Sequence, residues 1–238
     1  MMRRINTAVI IVIPIVFLAL VLGLVLVGRY ESTLGSFTSS LQGRSDSQIH
    51  NIQLAAKKID GTVLQPKEVF SFNRIVGERS ADHGYVRAPA IVEGRMEEGL
   101  GGGICQVSST LYNAVLLAGL KVVERHAHTT RTTSVPMGRD ATVVFGGSDL
   151  RFKNTSTKPI TVRASANNGR LVVRIVGDGQ KPPEYRLVAE GCECYGSDIT
   201  IHGQRMRLAS VTVWREELRG EEVIGREFIS SDKYGVKF

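Results

Sequence analysis

Hydrophobic and polar residues follow different rhythms along this chain. In the opening stretch, MMRRINTAVIIVIPIVFLALVLGLVLVGRY, there is no alternation at all. No charged residue interrupts Ile5 to Val27. As a helix that run rises roughly 34 Å, enough to cross a hydrocarbon core. Arg3 and Arg4 precede it, which predicts a cytoplasmic N-terminus and an extracytoplasmic remainder. Pro14 is tolerated in such a span. A cleaved signal peptide has an apolar region of roughly 7–15 residues and a small-x-small site. LVLVGRYEST offers no such site. Residues 1–28 therefore read as a cytoplasmic stub and a single-pass anchor in the cell membrane.

Residues 29–45 are rich in Ser, Thr and Gly and read as a linker. The period then becomes helical. In DSQIHNIQLAAKKIDG, Ile49, Ile52, Ala56 and Ile59 share one face, with Asp46 or Ser47 as cap and Gly61 as stop. TVL and VFSF are short strand-like pieces around Pro66. From Cys105 to Leu120 the helical period returns, and Val107, Leu111, Ala114, Val115 and Ala118 form an apolar stripe. Beyond Lys121 the pattern alternates as in strands: VVERHAH, ATVVFG, LRFKN, PITVRASA and RLVVRIVG. Asn168-Gly169 marks a hairpin turn. After the Gly/Pro punctuation GDGQKPPEY come DITIHG, SVTVWREEL and EVIGREFIS, with a turn at Arg219-Gly220. The prediction is an α+β fold: an N-terminal transmembrane helix, then a mixed helix and mostly antiparallel sheet domain over 46–178. A β-rich C-terminal extension follows over 179–238.

Composition changes this picture little. The net charge of +7 over 238 residues suits an anionic envelope. No basic-aromatic stripe points to nucleic acid. The three cysteines are Cys105, Cys192 and Cys194. The last two flank only Glu193, where a disulfide is strained. Cys105 has the more telling neighbourhood.

It stands at the exit of GLGGGICQ, at the head of a helix. Unsatisfied N–H groups and the positive dipole end favour a thiolate there. The amides of Gly102, Gly103 and Gln106, with Ser108 nearby, are candidates for holding an oxyanion. Glu124-Arg125-His126-Ala127-His128 supplies a base. On a strand, His126 and His128 point to one face. Asp140 in GRDAT is the first candidate to orient the imidazole, and Asp149 the second. A helical cysteine is most often a small buried hydrophobe, so these residues leave catalytic and structural readings both open. The glycine turn lacks the lysine of a P-loop. His126-x-His128 with Cys105 is too weak a pattern to assign zinc. No metal and no cofactor is expected.

FSFNRIVGERSADHGYVRAPAIVEG, GLGGGICQVSSTLYNAVLLAGLKVVERHAHT and PMGRDATVVFGGSDLRFKNTSTKPITVRA resemble the VanW domain, from about Phe70 to Gly177. GGGICQVSSTLYNA is the most specific part. The resemblance implies an α+β fold and a role in the Gram-positive envelope. It also implies peptidoglycan L,D-transpeptidase chemistry, the 3–3 cross-linking of stem peptides through a cysteine that matches Cys105. The family's histidine matches His128 better than His126. Thr129 stands where the family has Ser, and Ser134 where it often has Tyr. The alternative reading is a non-enzymatic envelope-binding or scaffold module linked to cell-wall or glycopeptide response.

Overall fold

A computed structural model describes residues 31–92, 95–178, 183–192, 199–201 and 204–236. The expected membrane span lies outside the described residues, as do Cys194 and the side chain of Cys192. Among the described residues, no helix is long and apolar enough to cross a membrane.

The fold is mixed, mostly antiparallel sheet with few helices. In chain order the elements are β1 (Glu31–Ser40), α1 (Asp46–Ile59), β2 (Val63–Leu64), β3 (Val69–Ser71) and α2 (Phe72–Val76). A 3₁₀ turn (Ala81–His83), β4 (Arg87–Val92), β5 (Arg95–Leu100) and α3 (Ile104–Leu117) follow. Then come β6 (Lys121–Glu124), β7 (Arg151–Lys153), β8 (Ile160–Asn167) and β9 (Arg170–Asp178). The last strands are β10 (Glu184–Cys192), β11 (Ile199–Ile201), β12 (Gln204–Arg219) and β13 (Glu222–Val236). One sheet runs β1-β9-β8-β2, a second β3-β7-β6, and β4 and β5 form a hairpin. In the C-terminal part β12 lies between β10 and β13 and also pairs β11.

The stretch read as a linker needs correcting. Glu31–Ser40 is a full strand, paired antiparallel with β9 from Glu31↔Asp178 to Ser40↔Arg170. Its alternation is hidden because small polar residues stand where apolar ones are usual. Gly35 gives the reason. A Cβ there would lie 2.3 Å from the Ala118 nitrogen and 2.5 Å from the Ala114 carbonyl oxygen, so β1 passes directly against the end of α3.

Helix α1 starts one residue earlier than its predicted caps. Ser45 accepts from the Gln48 N–H, and the Gln48 side chain accepts from the Ser45 N–H, a reciprocal capping box. Its buried face includes two polar residues, and both reach toward the glycine turn. Gln48 Nε2 donates to the Pro89 carbonyl at 2.8 Å. Asn51 Nδ2 donates to the carbonyls of Val86 and Gly102 at 3.0 and 3.1 Å.

Helix α3 is not a one-sided amphipathic helix. Gln106 to Leu116 are all buried, as expected of a central helix. Its polar residues serve a neighbouring segment. Ser108 Oγ donates to the Ala141 carbonyl at 2.6 Å, and Ser109 Oγ accepts from the Ala141 N–H at 2.9 Å. Asn113 Nδ2 donates to the Arg139 carbonyl at 2.7 Å. This explains why ATVVFG forms no strand: part of its backbone bonds to α3 side chains rather than to a ladder. VVERHAH likewise stays a strand only to Glu124.

The C-terminal extension is β-rich, and it docks on the rest of the chain. Arg215 donates to the Leu116 and Leu120 carbonyls, both at 3.1 Å, where cations suit a helix C-terminus. The Gly235 N–H donates to the Thr129 carbonyl at 2.8 Å, and Thr130 bridges Gly235 in parallel.

Candidate active site

Gly103 caps α3 with φ of +100°, a conformation that favours glycine, and Cys105 follows in the first helical turn. A Cβ on Gly102 would lie 2.4 Å from the Ala88 carbonyl oxygen, so this turn is pressed onto β4. The thiol is thereby fixed on the floor of a groove.

Three predicted residues come together here. The Cys105 thiol lies against the His128 imidazole and donates to the Val143 carbonyl at 3.7 Å. His128 Nδ1 lies 2.6 Å from Asp140 Oδ2, leaving Nε2 as the nitrogen for sulfur. Asp140 Oδ2 also accepts the His128 backbone N–H at 2.7 Å, so one oxygen holds both the ring and its main chain. Asp140 is 1% exposed.

The electrostatics follow from this order. Burial alone would push the Cys105 thiol up, but the adjoining His128 imidazole, with the Val143 carbonyl and the nearby Arg79 cation, brings it below its ordinary value. Burial would push His128 down, but Asp140 and the cysteine pull it up to about 9. Burial disfavours the Asp140 carboxylate, yet His128 and Arg125 hold it below the usual range. The arrangement favours a thiolate–imidazolium pair.

Residues the sequence reading did not single out complete the setting. Tyr234, on β13, donates to Asp140 Oδ1 at 2.6 Å and accepts the Gly138 N–H at 3.0 Å. Arg125 bonds Asp140 Oδ1 at 3.2 Å and Asp232 Oδ2 at 2.6 Å. Arg79 is held by Asn73 Oδ1 at 2.7 Å and lies over the rings of Phe72 and Phe145.

Other predicted residues sit elsewhere or do other work. His126 is turned away: its side chain is 48% exposed and meets Glu124 at 3.1 Å. The two-residue alternation fails because β6 ends at Glu124 and Arg125 turns inward. Asp149 accepts from the Ser71 hydroxyl and the Asn73 N–H, and so secures the start of α2. Ser108 is buried and bonded to backbone carbonyls. The Gln106 N–H is taken by the Gly103 carbonyl at 2.9 Å. Its side chain donates to Ser39 Oγ and the Ser40 carbonyl, and accepts from Arg44. Gln106 thus ties β1 to the site rather than offering an oxyanion donor. Among the described residues, the Cys105 N–H has no acceptor, which makes it the better donor for a developing oxyanion. Also among them, no group of three or more His, Cys, Asp or Glu side chains is arranged to hold a metal.

The groove above the thiol has a volume of about 620 Å³. Its floor is the glycine turn and Cys105. One wall is the 130–134 loop, and Met206, Gly235 and Val236 close it from the C-terminal extension.

Comparison with known proteins follows the same residues. The profile of a family described as "VanW like protein" matches residues 47–176, more than half the chain. Uncharacterized protein YoaR of Bacillus subtilis (strain 168) is 49% identical over 142 residues, 60% of this chain and 47% of that protein. Vancomycin B-type resistance protein VanW of Enterococcus faecalis (strain ATCC 700802 / V583) is 26% identical over 147 residues, 60% of this chain and 54% of that protein. The chain spans about half the length of these relatives. No solved structure matches it.

Proposed function

The chain belongs to the VanW-like family, and we propose that it is a membrane-anchored cysteine acyltransferase of the cell envelope, a peptidoglycan L,D-transpeptidase. The observation that carries this reading is the line Cys105–His128–Asp140 beneath an open groove. The span Ile5 to Val27 holds the domain at the outer membrane face, with the N-terminus in the cytoplasm. Stem peptides of peptidoglycan are its partners.

The Cys105 thiolate attacks the carbonyl carbon of the third stem residue, forming a C–S bond. The Cys105 N–H steadies the oxyanion. The amide C–N bond to the terminal D-residue breaks, and His128 gives its proton to the leaving amine. The amine of a second stem then attacks the thioester. It loses a proton to His128, and the thiolate departs. Asp140 keeps the imidazole oriented throughout. If water resolves the thioester, the product is that of an L,D-carboxypeptidase.

The test uses the full chain in detergent micelles, because a truncation at Ser45 would remove β1. Disaccharide-tetrapeptide muropeptides are incubated with the protein and read by mass spectrometry, with Cys105→Ala and His128→Ala beside it. A cross-linked dimer lacking one terminal D-residue, absent in both variants, supports the transpeptidase. No change with folded protein rejects it in favour of a non-enzymatic envelope module.

A further inference from the structure

The triad uses the floor of the groove and leaves its charge unexplained. Apart from His128, the ionisable side chains that line it among the described residues are Arg44, Arg131 and Cys105, and no carboxylate does. Arg44 is half-buried and oriented. Its Nε donates to Gln106 Oε1 at 2.8 Å and one terminal nitrogen to Thr133 Oγ1 at 3.3 Å. Both acceptors are neutral. Burial lowers the Arg44 pKa, and no carboxylate among the described residues offsets that. Gln106 directly follows the cysteine, so this guanidinium is tied to the residue next to the thiol. Arg131 stands on the opposing loop, whose backbone is pinned to β13 through its N–H to the Gly235 carbonyl at 3.4 Å. Arg131 likewise has no ion-pair partner among the described residues.

Two unpaired guanidiniums facing a groove without acids form a place for an anion, and a planar fork suits a carboxylate best. We propose that Arg44 and Arg131 are a carboxylate-reading subsite: they bind the free terminal carboxylate of the peptide whose preceding carbonyl Cys105 attacks. This deepens the transpeptidase reading and rests on the groove being the substrate groove. It makes the site selective for stems one residue past the reacting carbonyl. A longer stem would move that charge out of reach, and an amidated one would lack it.

The test separates the subsite from the chemistry. The full-length Cys105→Ala protein, which binds without turnover, is titrated with two probes by calorimetry. One is a disaccharide-tetrapeptide with a free terminal carboxylate, the other its terminal primary amide. The free acid should bind about tenfold or more tightly, the scale of a charge-assisted hydrogen bond. Arg131→Ala and Arg44→Gln should each shrink that preference, with circular dichroism checking the fold. Arg131 is exposed, so its variant keeps the test valid if Arg44→Gln unfolds. Equal affinity for acid and amide, or no binding of either, overturns the subsite. Turnover by the Cys105 protein is read separately. Equal turnover of acid and amide would sink the subsite and leave the transpeptidase. Carboxylate-selective binding without turnover would leave the subsite and sink the enzyme.

Discussion

Replacing Tyr234 by Phe removes one oxygen from the far end of the chain and should be felt at the triad. The hydroxyl donates to Asp140 Oδ1 at 2.6 Å and accepts the Gly138 N–H at 3.0 Å. Tyr234 is 1% exposed, so water cannot replace either bond without rearrangement. A hydrogen bond to a charged group contributes roughly 1.5–3 kcal/mol, and a buried unsatisfied N–H costs about 1–3 kcal/mol. Arg125 still reaches Asp140 Oδ1, and Phe keeps the ring volume, so no cavity forms. The lower halves of both ranges apply, and Tyr234→Phe should cost about 3 kcal/mol. For a chain of this size that lowers the melting temperature by about 6–12 °C. Urea unfolding of both proteins measures it directly, and Asp140→Asn supplies the second arm of a double-mutant cycle. The loss on removing the hydroxyl should fall by roughly half once the carboxylate is gone, since the Gly138 N–H is left unpaired in either background. A cost below about 0.5 kcal/mol, or costs that simply add, would refute the idea that β13 supports the triad.

Other outcomes are as specific. Iodoacetamide at neutral pH should alkylate Cys105 faster than Cys192 and Cys194, read by peptide mapping, and Cys105→Ala should keep the fold and lose that fast adduct; a Cys105 that is inert there would count against an activated nucleophile. The pH profile of turnover should be a bell, with an acid limb below the ordinary thiol range and a base limb near pH 9, where His128 loses its proton. The same ionisation affects stability: His128 is raised from 6.5 to about 9, so its contribution is full below about pH 6.5 and fades as pH rises through about 9. His128→Gln should flatten that part of a urea-midpoint profile. Gly35→Ala should destabilise by about 3 kcal/mol in urea, because the new Cβ meets backbone rather than a side chain that can move. His126→Ala should leave turnover within twofold of wild type, since its ring faces Glu124 and solvent.

What could be read in advance depended on range. The thiol at a helix start is a local pattern, and the structure puts Cys105 there. The β8–β9 hairpin is local too, and Asn168 and Gly169 take the positive φ values its turn requires. The choice between His126 and His128 was not open to strand alternation, because the ladder ends at Glu124 and Arg125, just before them, turns inward. Resemblance to a family favoured His128. Asp140 was a candidate only through its neighbours in GRDAT. Tyr234 lies 94 residues from Asp140, and nothing in SSDKY marks it as a partner. Strand β1 escaped notice for a different reason. Its small residues serve a close approach to α3, and closeness between elements distant in sequence leaves no period.

The place of β1 also bears on the membrane anchor proposed above, on which it would set a leash. If that anchor ends at Val27, only Gly28, Arg29 and Tyr30 separate it in sequence from the strand that begins at Glu31. Three residues span at most about 11 Å. A transpeptidase held so short, as proposed above, would work at a nearly constant height close to the lipid. It would meet strands still close to their site of export, and wall layers farther out would stay beyond its reach. Lengthening that leash with an inserted flexible segment would change which glycan layer it modifies without touching the groove.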